Sequence, residues 1–185
     1  MSEFNHFIFP YFENFDLVRL EDSDVRKVEE FVPRLIEKKL SESHHRIDSN
    51  MEYKRWVNGI LGECAVEKYI RRTFIDWSIG DSKKYHVSDL SKLGIKCGIK
   101  TVQAGKLPII FKRAKEPEII VIQESLYNYY ICGVATEKVL NKYQSDEFVK
   151  SGRLRSRGTK TAFYGFEHLI SPAKLKERFK NEIHS

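Results

Sequence analysis

Apolar residues recur along this chain with two different periods. Helical spacing runs from about residue 23 to 40, interrupted by Pro33, and a polar stretch with His44 and His45 follows. A second helix is predicted over about residues 50–74. At about 100° per residue, Trp56, Ile60, Cys64, Ile70 and Phe74 define its apolar arc. Strand-like runs come next, at about 85–87, 94–102, 107–111, 118–122 and 129–135. The β-branched run Ile119-Ile120-Val121-Ile122 predicts a strand buried on both faces. Thr136 is placed to cap a helix through about 149, and Ser171-Pro172 to start one through about 179. This order of elements predicts an α/β fold, a mixed central β-sheet flanked by helices.

Composition and charge refine that picture. With 185 residues, 41% of them hydrophobic and 12% aromatic, the chain can bury a core. No repeat, low-complexity tract or Gly/Ser linker divides it, so residues 1–185 are expected to form a single domain. The opening segment, with Phe4, Phe7, Phe9, Tyr11 and Phe12, is too aromatic to stay solvated. It is expected to pack on the body or on a second subunit, which would make a homodimer. Cys64, Cys97 and Cys132 are far apart, odd in number and lack CxxC spacing, which indicates neither a disulfide framework nor a zinc ribbon and argues for reduced, mostly core thiols. No basic leader and no run of membrane-spanning length is present, so a cytoplasmic protein is expected. The net charge of +6 is unevenly placed. Nine lysines and arginines lie between Lys83 and Lys115 against a single acid, Asp89. A polyanion partner follows from that concentration.

Four acidic or basic positions stand out against the apolar pattern. Glu63 and Glu67 both fall inside the arc of the second helix. A carboxylate turned toward a core needs a cation, a metal or hydrogen bonds, or it must protonate. For either glutamate the alternative is pairing with a lysine at the core edge. In a strand from Ile95, Ile99 and Thr101 share one face while Gly98 and Lys100 share the other. Asp89 precedes that strand. It could also serve as a turn or cap residue in Ser88-Asp89-Leu90-Ser91, and Lys100 as a solvated strand lysine.

A helix with an inward Glu63, an aspartate at Asp89 and a strand reading Ile99-Lys100-Thr101 together resemble the PD-(D/E)xK nuclease superfamily, over about residues 50–150. The resemblance implies a restriction-endonuclease-like fold and a Mg²⁺- or Mn²⁺-dependent endonuclease acting on DNA. Asp89 and Glu63 would be metal carboxylates, the Ile99 carbonyl a further ligand, and Lys100 the lysine that positions or activates the attacking water. The sequence departs from the pattern at Gly98, where the family carries an acid. Glu63, Glu67 or Glu118 would then supply the second carboxylate; otherwise the protein binds nucleic acid or a protein partner without cutting. Lys92, Lys96, Lys106, Lys112 and Arg113, with a second cluster of Arg153, Arg155, Arg157 and Lys160, are expected to contact phosphates. No HExxH, GxSxG, P-loop or dinucleotide-binding glycine pattern offers another chemistry. His6, His86, His168 and His184 are isolated, and Phe163-Tyr164-Gly165-Phe166 is expected to be packing.

Overall fold

The run from Ile119 to Ile122 has no solvated face because two cores meet across it. Ile119 and Val121 enter one core, and Ile120 and Ile122 enter the other. All four are at most 1% exposed, and burial of each side chain contributes about 1.5–3 kcal/mol. This strand, β4 (Glu118–Gln123), is central to a four-stranded mixed sheet whose order is β1 (Asp16–Arg19), β5 (Asn128–Ala135), β4 and β2 (Gly98–Gln103). β2 runs parallel to β4, while β4–β5 and β5–β1 are antiparallel. A computed structural model describes residues 2–40, 49–79 and 87–181. His44, His45, His86, His184 and most of the strand expected at 85–87 lie outside the described residues.

The first core lies between the sheet and three helices, α2 (Asp22–Leu40), α3 (Ser49–Ile70) and α6 (Pro172–Asn181). Val25, Val28, Phe31, Val32 and Leu35 form the buried stripe of α2. Pro33 does not interrupt that helix. Its ring is exposed on the outer face, and five buried neighbours outweigh the cost of about 3 kcal/mol for an internal proline. α3 stops at Ile70, short of the expected 74, because Arg71 takes a left-handed backbone with φ 57°. The Glu67 carboxylate then receives the N–H groups of Phe74 and Ile75 at 2.5 and 2.7 Å. Phe74 still turns back into the core, at 3% exposure.

The second core is closed by a three-stranded antiparallel sheet, β3 (Ile109–Phe111), β7 (Lys160–Phe163) and β6 (Gln144–Ser145). Thr136 caps α4 (Glu137–Lys142) by accepting the Val139 N–H at 3.3 Å. That helix ends at Lys142, not near 149, since the chain crosses directly into β6. α5 (Gly152–Ser156) carries Arg153 and Arg155 of the second basic cluster. The aromatic N-terminus, α1 (Glu3–Phe7) and a 3₁₀ turn (Phe9–Asn14), packs on this core. Phe4, Ile8 and Phe15 are buried, Phe7 lies against Phe148 and Tyr164, and Phe12 against Tyr130. The chain's own body covers the segment, leaving Phe9 64% exposed. Phe163 and Phe166 are buried in the same core, as expected. Among the described residues no helix is long and apolar enough to cross a membrane.

Candidate active site

Strand β2 begins beneath a loop that folds back over it. The Leu90 N–H donates to the Cys97 carbonyl at 3.2 Å, and the Ile95 N–H to the Leu90 carbonyl at 3.3 Å. This closure carries Asp89 over the start of the strand, where its Oδ2 accepts the Ile99 N–H at 2.6 Å. The Asp89 residue is exposed on its outer side, yet its inner oxygen is tied to the strand. Ile99 therefore takes part through its amide, and its side chain packs on the first core.

Gly98 is the geometric centre of the site. Its N–H donates to the Pro117 carbonyl at 2.9 Å, and in the parallel register it stands beside Glu118. A methyl group added at Gly98 would lie 3.4 Å from Oε1 of Glu116, 3.6 Å from Oδ2 of Asp89 and 3.7 Å from Cγ of Glu118. The side chains of three acids thus surround the strand position that lacks one. Ser88 donates its hydroxyl to Oε2 of Glu116, which orients that carboxylate. Oε2 of Glu118 is buried with no hydrogen-bond partner. Strand alternation puts Gly98, Lys100 and Val102 on the side of the second core, where Val102 packs.

Lys100 is half-buried beside these acids. Burial pulls its ammonium below the ordinary lysine value, while Glu118, and more weakly Asp89, hold the proton on. Burial also raises Glu118, opposed by Lys100 and Lys160. Asp89 is raised by burial and by Glu116, against the Ile99 hydrogen bond and Lys100. Glu63 of α3 is partly buried in a cleft that it shares with Asp89. Burial first, then Asp89 and Glu67, push it up to about 8. Its inward direction agrees with the helical arc. Glu67 has a different job: its carboxylate receives the two backbone N–H groups that end α3.

The basic residues divide into three kinds. Lys160 of β7 joins the site: burial and then Lys100 push it down to about 8, with Glu118 opposing. Its Nζ lies 3.0 Å from the centroid of the Phe111 ring. Several others are committed within the protein. Lys92 stands 3.6 Å from Asp76, Lys112 pairs with Asp146, Lys106 donates to Gln103 at 2.6 Å, and Arg155 donates to the Val149 carbonyl at 2.7 Å. Lys96, Arg113, Arg153 and Arg157 are exposed side chains with no such contact among the described residues.

Sequence reasoning missed Glu116 entirely and offered Glu118 only as one of three alternatives. The available signal was Glu116-Pro117-Glu118 itself, two acids heading a strand that is otherwise apolar. Arg55, whose charge acts on both Lys100 and Lys160, was also missed. Compared with protein-family models, curated proteins and solved structures, the chain matches none. Among the described residues, no three His, Cys, Asp or Glu side chains are arranged as a ready metal-holding group. Cys64, Cys97 and Cys132 are free and buried.

Proposed function

We propose that the protein is a divalent-metal-dependent endonuclease of the restriction-endonuclease-like fold, hydrolysing phosphodiester bonds in DNA. The observation that carries this reading is the grouping of Asp89, Glu116 and Glu118 about Gly98, on the strand that presents Lys100. The acid missing from β2 is replaced across the parallel register by Glu118. These residues fit Mg²⁺ or Mn²⁺: the donors are hard oxygens, one carboxylate oxygen is buried without a partner, and Mg²⁺ needs only one or two protein carboxylates besides water and phosphate. Asp89 and Glu118 would hold it, with Glu63 behind Asp89. A bound ion supplies charge neutralisation on the phosphate and a lower pKa for the attacking water. Lys100 Nζ orients the phosphate, and its weakened hold on a proton suits it to exchange one with that water. Lys160 adds a second cation on the Glu118 side.

A plasmid-nicking assay with Mg²⁺, Mn²⁺ or EDTA tests the reading. Cleavage should need the metal and should fall by about 10²-fold or more in Asp89→Asn, Glu118→Gln and Lys100→Ala. No cleavage of duplex, single-stranded or branched DNA, or unchanged activity in these variants, would reject it. A second reading, a protein of this fold that binds nucleic acid or a protein partner without cutting, rests on Gly98, which stands where the family carries an acid. Salt-sensitive DNA binding without metal-dependent hydrolysis would select it.

A further inference from the structure

A cleft of about 390 Å³ opens beside Asp89, between α2, α3 and the segment that follows α3. Its volume falls within the range of about 300–1,000 Å³ seen for small-ligand sites. Phe31, Trp56 and Phe74 contribute aromatic surface to its walls. Among the described residues its polar lining includes Glu63, Asp76 and Asp89 and one lysine, Lys92, which already stands 3.6 Å from Asp76. With Lys92 beside Asp76 and burial holding the proton on Glu63, the described lining carries little net charge and offers a phosphate no unpaired cation. An occupant that suits it is neutral and flat, with hydrogen-bonding groups at its edge for the carboxyls to meet. A nucleobase has that chemistry, and Asp89 belongs both to this cleft and to the cluster around Gly98.

We infer that the cleft receives an unpaired base of the strand whose phosphate lies at Asp89, Glu118 and Lys100, so that the substrate is single-stranded or locally unpaired DNA. The inference rests on the nuclease reading and names its substrate class. A base stacked in intact duplex cannot enter such a cleft without first leaving the helix. No unpaired cation of the described lining draws the backbone in, and Lys100 and Lys160 lie outside the cleft.

The test compares two fluorescently labelled single strands of equal length and charge, one of mixed sequence and one abasic throughout its centre, by anisotropy in EDTA. The base-bearing strand should bind about tenfold more tightly, the scale of one stacked base. Ser91→Trp, on the exposed rim of the cleft, should fill it and remove that difference while leaving the abasic strand's affinity unchanged. Equal affinities in the unaltered protein would overturn the inference, as would a preference that survives intact in Ser91→Trp. Metal-dependent plasmid nicking on the same preparation separates the two ideas. Cutting with equal affinities removes the base cleft and keeps the nuclease; neither binding nor cutting removes both.

Discussion

Gly98 shows what one missing side chain leaves room for. A methyl there would meet Glu116, Asp89 and Glu118 at 3.4, 3.6 and 3.7 Å, ordinary van der Waals distances. Gly98→Ala should therefore fold with a stability within about 1 kcal/mol of the parent, since a strand glycine is itself unfavourable by about 0.5–1 kcal/mol. Gly98→Asp is a different matter. It brings a fourth carboxylate into a group whose members already feel burial and one another. In EDTA its melting temperature should fall below that of Gly98→Ala, and Mg²⁺ should restore more of it than the same ion adds to the parent. Equal metal shifts in both proteins, read by calorimetry, would count against a cation site at Gly98. The cysteines give a second expectation at this scale. Burial pushes the Cys64 and Cys97 thiols up to about 12 and raises Cys132 well above its ordinary value. Only the thiolate reacts, and at pH 8 a thiol of pKa 12 is ionised in roughly one molecule in 10⁴. An aromatic disulfide reagent should leave the folded protein untouched and titrate the thiols after unfolding. Fast reaction of folded protein would show that a cysteine is exposed.

The crossing of α3 over β2 places Glu63 near Asp89, and it depends on Gly62. A methyl at that position would sit 1.8 Å from Oγ1 of Thr101 and 2.8 Å from its Cβ, an overlap that requires the helix or the strand to shift. Gly62→Ala should destabilise the fold by about 1–3 kcal/mol, measured by urea denaturation. Thr101→Ala should recover part of that loss in the double variant, because it removes the closest clash. It breaks no hydrogen bond, since Thr101 Oγ1 is buried with no partner. If the two substitutions simply add, the close approach is not the cause. Elements of this kind were legible where the signal is local. The double burial of Ile119 to Ile122, the Thr136 cap and the inward Glu63 all follow from periods and neighbours within a few residues. β1, β6 and β7 were not legible, because strands of two to four residues hold too little pattern to read. The ends of α3 and α4 were misplaced since tertiary contacts, the Glu67 hydrogen bonds and the entry into β6, override a continuing helical period. Asp89 and Lys100 could be singled out from the chain. Their partner Glu118 could not be ranked, because its place beside Gly98 is set by the parallel β2–β4 register, which no local spacing encodes.

Across the whole molecule, the net charge of +6 overstates what is free to meet a polyanion. Folding brings Lys112 to Asp146, Lys92 to Asp76 and Lys150 to within 3.1 Å of Glu3. Surface pairs of this kind add little stability, about 0–1 kcal/mol, but each places a carboxylate where a phosphate would otherwise sit. Lys96, Arg113, Arg153 and Arg157 remain exposed without such a partner among the described residues. Their contribution can be separated from that of the paired lysines by the salt dependence of DNA binding. Each cation that contacts a duplex phosphate adds about 0.9 to the slope of log affinity against log salt. Arg153→Ala and Arg157→Ala should each lower the slope by nearly that amount if the second basic cluster lies on the DNA. Lys112→Ala should lower it much less, because Asp146 already occupies its ammonium. Fluorescence anisotropy from about 50 to 200 mM salt resolves a change of this size. Equal losses at Lys112 and Arg153 would mean that the Asp146 pair opens on binding. Unchanged slopes at Arg153 and Arg157 would instead confine the interface to the Lys96–Arg113 side, next to Asp89 and Lys100.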